Sequence, residues 1–206
     1  MTVPTSQTDQ ALKVLKARGI LRLNELMAAG VAQETMARLV RSGRVTRLAR
    51  GLYQLAGSDP ETAHSFAEAS KLVPKGVVCL VSALQFHELT VQLSRAIWMA
   101  IETGSSTPRI AYPPMRFVRF SKKAMSEGIE HHTIEGVTVR VTDPATTIAD
   151  CFCFRSKVGI DVALEGLREA LRRRPTMADA IMKAAQRRRI WTKLRPYLEA
   201  LLEHDG

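Results

Sequence analysis

The first 56 residues carry their apolar positions in short runs of two different periods. Residues 8–17 place Ala11, Leu12, Val14 and Leu15 at helical spacing, and Arg18-Gly19 closes the run, with Gly19 a candidate left-handed cap. Residues 20–23 predict a short strand. Asn24 is the candidate cap of a second helix that reaches about Ala29, where Gly30 turns the chain. A third helix is predicted over 33–42 and is stopped by Gly43. Residues 45–48 and 52–55 then read as two short strands, joined through Ala49-Arg50-Gly51. The order helix, strand, helix, tight turn, helix, hairpin predicts a winged helix-turn-helix. In that fold a short Gly-containing turn sets two helices at a steep angle. The second can then lie in a major groove while the hairpin reaches the neighbouring backbone or minor groove.

Residues 57–60 mark the expected boundary between two domains, 1–57 and 58–206. Asp59-Pro60-Glu61 supplies a cap, a first-turn proline and a first-turn acid for a helix to about Leu72. Residues 77–81 predict a short apolar strand or buried segment, and Ser82 is the candidate cap of a helix over 83–89. Strands are predicted at 97–103, 109–112 and 115–120, and a hairpin at 129–134 and 137–142 around Glu135-Gly136. From Asp143-Pro144 onward the pattern turns helical, with helices at 145–154, 160–173, 177–189 and 194–202 punctuated by Pro175 and Pro196. The expected class is α+β: a winged helix followed by a mixed α/β domain with a helical end. The longest apolar stretches, 76–83 and 97–101, fall far short of the ~20 residues that a membrane span needs.

Charge sharpens this picture. The chain of 206 residues holds 30 Lys and Arg against 20 Asp and Glu, a net +10. Residues 1–56 carry +6, residues 57–167 carry −1, and residues 168–206 carry +5. Basic ends around a neutral middle favour a phosphate-rich partner over acidic small substrates. The polar start of the chain and three cysteines, two of them at Cys151 and Cys153, fit a reducing cytoplasm.

The third helix and its hairpin concentrate the chemistry. Met36, Leu39 and Val40 form one apolar stripe, while Gln33, Glu34, Arg38 and Arg41 lie largely away from it. Arg44, Arg47 and Arg50 follow, so five arginines fall between Arg38 and Arg50. The expected DNA contacts are Gln33, Thr35, Arg38, Arg41, Arg44, Arg47 and Arg50, with Gln33 and Thr35 as candidate base readers. A secondary phosphate-binding stretch is expected at Arg116, Arg119, Lys122 and Lys123, set against the reading of a polar sheet face. Arg172-Arg173-Arg174 and Arg187-Arg188-Arg189 each end a predicted helix, where cations complement the helix dipole.

Other chemistry finds little support. Cys151 and Cys153 project about 200° apart on a helix, and His131 and His132 alternate faces on a strand, so neither pair builds a metal site. Gly104-Ser105-Ser106 lacks the Gly-Lys-Ser/Thr of a phosphate loop, and Asp143 and Glu102 lack the lysine companion of a nuclease strand. His87-Glu88 has no evident nucleophile beside it. No metal, cofactor or enzymatic activity is expected. A DNA-acting enzyme subunit, either a nuclease or a modification subunit targeted by the winged helix, is the alternative reading. A protein-interaction module with incidental charge is a third.

Three segments together resemble a known family. They are Gly30-Val31 with Leu39-Val40-Arg41-Ser42-Gly43 and Arg50-Gly51-Leu52-Tyr53-Gln54-Leu55, the stretch Ser82 to Thr90, and Thr142-Asp143-Pro144-Ala145-Thr146-Thr147. They are similar to AbiEi-type antitoxins of type IV toxin–antitoxin systems. The resemblance implies an abortive-infection repressor that binds operator repeats in its own promoter. It also implies a C-terminal antitoxin domain that counteracts a nucleotidyltransferase-like toxin without requiring a direct complex.

Overall fold

The computed structural model describes residues 6–57 and 64–204. It contains two compact units, the first made of Met1–Pro74 with His132–Val139 and the second of Lys75–His131 with Arg140–Gly206. This division differs from the expected cut at 57/58, because the helix after the linker groups with the first unit. The linker and the Asp59-Pro60-Glu61 start lie at 58–63, outside the described residues.

In the first unit the chain runs α1 (Gln7–Arg18), β1 (Leu21–Arg22), α2 (Leu23–Ala28), α3 (Gln33–Arg41), β2 (Val45–Ala49), β3 (Leu52–Leu55) and α4 (His64–Leu72). This is the winged helix-turn-helix, with its sheet in the order β1-β3-β2. Ser6 caps α1 by accepting the Asp9 N–H at 3.1 Å. The apolar runs named above converge: Ala11 and Leu15 of α1, Leu26 of α2, Met36 and Leu39 of α3, and Val45 and Tyr53 of the wing strands share one core. Asn24 does not cap α2. The helix begins one residue before it, and the Glu25 carboxylate accepts the Arg22 N–H at 2.8 Å. Arg22 then donates its guanidinium to the Lys71 and Leu72 carbonyls at the end of α4. Lys71 Nζ donates to Glu25 at 2.8 Å. These bonds tie α4 to α2.

The second unit contains β4 (Val77–Val78), α5 (Leu80–Phe86), β5 (Ile97–Glu102), β6 (Met115–Phe120), β7 (Ile129–Ile134), β8 (Val137–Thr142), α6 (Pro144–Cys153), α7 (Arg155–Val158), α8 (Ile160–Arg173), α9 (Met177–Arg187) and α10 (Trp191–His204). Its sheet has the order β6-β5-β4-β8-β7, with β5 parallel to β6, β4 antiparallel to β5, and β4 parallel to β8. The tip of the β7/β8 hairpin, His132–Val139, is counted in the first unit. Asp143 caps α6 by accepting the Thr146 N–H at 2.6 Å, with Pro144 in the first turn, as the sequence predicts. Nearly every side chain of α6 is buried, and the core joins it to Leu84 of α5, Leu167 of α8, Ile181 of α9 and Leu194 of α10.

Three local expectations are corrected here. The strand foreseen at 77–81 ends at Val78, because Leu80 already opens α5. Ser82 lies inside α5, where its hydroxyl accepts the Trp98 N–H at 3.0 Å instead of capping a helix. Residues 109–112 form no strand and lie in the irregular connection between β5 and β6. No helix among the described residues is long and apolar enough to cross a membrane.

Candidate nucleic-acid interface

The turn between α2 and α3 is set by Gly30, whose φ of +84° is open to glycine at little cost. The Val31 N–H returns to the Leu26 carbonyl at 3.0 Å and closes that turn. Burial of Met36 and Leu39 fixes the rotation of α3. The outward line of the helix is then Gln33, Ala37 and Arg41, one turn apart and all exposed. Glu34 and Arg38 flank that line.

The wing stands beside it. β2 and β3 pair antiparallel, Val45 opposite Leu55 and Arg47 opposite Tyr53, with an irregularity between Arg47 and Ala49. Gly51 turns the chain at φ +73°. The Arg47 Nε donates to the Ala49 carbonyl at 3.3 Å, which orients the guanidinium along the wing. Helix and wing enclose an open groove of about 940 Å³, lined by Gln33, Ala37, Val40 and Arg41 of α3, by Arg47, Arg50, Gly51 and Tyr53 of the wing, and by Leu23. Three cations and no acid line it, so the groove concentrates positive potential where a polyanion would enter.

The structure sorts the expected contacts. Gln33, Arg41, Arg47 and Arg50 come together in the groove. Arg38 is exposed on the flank, and its Nη2 donates to Thr8 Oγ1 of α1 at 3.0 Å. Arg44 is exposed where α3 hands over to β2. Thr35 is a correction: it is only 7 % exposed, and its hydroxyl donates to Gln7 Oε1 at 2.9 Å. Its position falls on the core side of the helix, 200° around from Gln33 at the helical 100° per residue, where its side chain joins α1 to α3. Thr35→Ala is therefore expected to cost about 1 kcal/mol of stability in urea unfolding and to leave DNA affinity unchanged. The sequence reading missed Ala37, Leu23 and Tyr53. Ala37 was legible as the residue one turn from both Gln33 and Arg41.

The secondary stretch does not form one surface. Arg116 and Arg119 sit three apart on β6 and so point to opposite faces of the sheet. Arg116 lies over the Trp98 ring at 5.3 Å. Arg119 donates to the Ser105 carbonyl at 2.5 Å and to Thr107 Oγ1 at 3.0 Å, which ties down the connection after β5. Lys122 and Lys123 are exposed beyond the strand, with Lys123 Nζ 3.7 Å from Glu127.

The C-terminal arginines also divide. Arg172 and Arg173 share Glu169, at 2.7 and 2.6 Å. Arg188 is largely withdrawn from solvent and paired with Asp150 at 2.7 Å. Among the described residues no group of three or more His, Cys, Asp or Glu gathers to hold a metal ion.

Residues 9–56 match the family described as "Transcriptional regulator, AbiEi antitoxin". The AbiEi match thus covers the winged helix from α1 to the end of the wing, where the sequence resemblance also begins. No curated protein matches the chain. The fold as a whole is similar to the crystal structure of the RV2827C protein from Mycobacterium tuberculosis. That likeness has a TM-score of 0.60 at 12 % identity and covers 100 % of this chain and 78 % of the other. At that identity it concerns the fold. The AbiEi match supports a regulatory antitoxin role.

Proposed function

We propose that this protein is a DNA-binding transcriptional repressor and the antitoxin of a type IV toxin–antitoxin pair, acting in the cytoplasm without cofactor or catalysis. The observation that supports this best is the groove between α3 and the wing, lined by Arg41, Arg47 and Arg50 and by no acid. Duplex DNA is the partner that such a groove suits: α3 presents Gln33 and Arg41 to base edges in the major groove, while Arg47 and Arg50 neutralise phosphates beside it. Arg38 and Arg44 extend the contact along the backbone. The operator is taken to be repeats in the protein's own promoter. The toxin counteracted is taken to be nucleotidyltransferase-like, with no stable complex needed.

Binding of the full chain to its promoter DNA, measured across salt concentrations, tests this. With about six phosphates neutralised, log K falls against log salt with a slope of roughly −5. Arg50→Ala is expected to weaken operator and random DNA alike and to reduce the slope by about 1. Arg41→Ala is expected to cost about 1–3 kcal/mol on the operator and to relax its specificity. A flat salt response ends the DNA reading. Failure of the full chain to rescue cells that express the neighbouring toxin ends the antitoxin reading.

A further inference from the structure

The second unit carries a groove that the winged helix does not explain. Two stretches of the chain contain no acid: residues 151–160, with Arg155 and Lys157, and residues 180–198, with Lys183, Arg187, Arg188, Arg189, Lys193 and Arg195. The fold brings them together where the end of α6 and the start of α7 meet the first turns of α10. There a groove of about 310 Å³ is lined by Phe152, Arg155, Thr192, Lys193, Pro196 and Tyr197. That volume falls at the lower end of the range of small-ligand sites, about 300–1,000 Å³.

Each lining residue has a definite role available to it. Tyr197 is 40 % exposed, yet its ring is backed by Phe152, itself 1 % exposed, at 5.5 Å between centroids and a tilt of 42°. The tyrosine ring is thus packed at a tilt against a buried aromatic, with part of its surface left accessible to a flat partner. Arg155 is aimed by donating to the Phe152 carbonyl at 3.1 Å, which leaves its remaining N–H groups to the groove. Lys193 makes no ion pair among the described residues, whereas its neighbour Arg195 is spent on Glu199 at 2.6 Å. Pro196 lies within α10 and has no N–H to offer the Thr192 carbonyl one turn earlier.

An accessible aromatic ring with two cations beside it and no acid in the lining make a site for a nucleobase carrying a phosphate. We infer that this groove binds the base–phosphate unit of a nucleotide or of a single-stranded nucleic acid, the base stacked on Tyr197 and the phosphate held by Arg155 and Lys193. Stacking on an aromatic plate tolerates any base, so the site discriminates single strands from duplex and not one sequence from another. It is independent of the duplex-binding role of the winged helix.

The test uses the full chain with Arg41→Ala and Arg50→Ala, so that the winged helix does not mask the result. A fluorescein-labelled hexauridylate is titrated by anisotropy at low salt. Tyr197→Ala is expected to weaken binding about 5- to 150-fold, the loss of one base stack. Tyr197→Phe, which keeps the ring, is expected to bind as the parent does. Arg155→Ala with Lys193→Ala is expected to weaken binding and flatten its salt dependence, while Lys122→Ala changes neither. Competition by adenosine monophosphate then separates the sources: full competition assigns a mononucleotide site, and none assigns a strand site. The inference is overturned if hexauridylate does not bind. It is also overturned if Tyr197→Ala, folded by circular dichroism, binds like the parent, or if inorganic phosphate competes as well as the nucleotide does.

Discussion

Replacing Arg188 by alanine is expected to destabilise the second unit by about 3–5 kcal/mol at neutral pH, among the largest effects any single side chain can have here. Arg188 Nε donates to Asp150 Oδ1 at 2.7 Å, with the two side chains 9 % and 2 % exposed. The guanidinium also lies over the Phe120 ring at 5.5 Å. Asp150 lies in α6, so without Arg188 a buried carboxylate loses its hydrogen-bonded cation and keeps only the weaker pull of Arg187.

Burial pushes the Asp150 carboxyl up to about 6 from its ordinary 3.8, against the opposing pull of Arg188. A raised acid favours the folded state below its unfolded pKa and loses that contribution as pH rises through the folded value. Removing Arg188 raises the folded value further, because the cation that stabilises the charged form is gone. The cost of Arg188→Ala is therefore smaller near pH 4 than at pH 7.5, where Asp150 must stay protonated or stand unpaired. Urea unfolding at both pH values measures this. A cost below about 1 kcal/mol at pH 7.5, or one that shrinks with rising pH, contradicts the role given to the pair. Arg188→Met combined with Asp150→Leu is expected to recover most of the loss, since well-packed apolar groups commonly replace a buried ion pair at no net cost.

Gly19→Ala is expected to destabilise the first unit by about 2–5 kcal/mol. Gly19 has φ +68°, which costs an L side chain about 1–2 kcal/mol. A methyl group there would also stand 2.0 Å from the Glu135 carbonyl oxygen, a clash with rigid backbone that adds about 1–3 kcal/mol. The approach is mutual, because a Cβ on Gly136 would meet the Arg18 carbonyl oxygen at 2.2 Å. Two glycines thus let the turn Glu135-Gly136 rest backbone to backbone on Arg18-Gly19. Beside them, the Glu135 carboxylate accepts Gln54 Nε2 and contacts His64 Nδ1, both at 2.9 Å. Gly30→Ala is the control: its φ is +84° but nothing lies within 4 Å, so only the backbone cost of about 1 kcal/mol is expected. Equal losses in the two variants, measured by thermal or urea unfolding, would remove the hairpin turn from the stability of the winged helix.

What the sequence determined by itself was mostly local. The spacing of Ala11, Leu15, Met36 and Leu39, the stops at Gly19, Gly30 and Gly43, and the strand pair around Arg50-Gly51 each depend on neighbours a few residues away. Periodicity and turn chemistry therefore yielded the winged helix nearly element by element. The Asp143-Pro144 start was legible for the same reason. Capping by Asn24 and Ser82 failed because a cap is chosen by competition among nearby donors and acceptors. Arg22 with Glu25 won the first, and the Trp98 N–H, distant in sequence, took the second hydroxyl. Thr35 looked like a base reader because its partner, Gln7, lies 28 residues back. Only the tertiary structure could decide which arginines face a groove. Arg41, Arg47 and Arg50 were equivalent in the sequence to Arg38 and Arg44, and Arg188 was equivalent to its neighbours until Asp150, 38 residues earlier, was placed against it. Charge is written in the sequence, but its partner is set by packing, and packing joins residues whose separation along the chain carries no local signal.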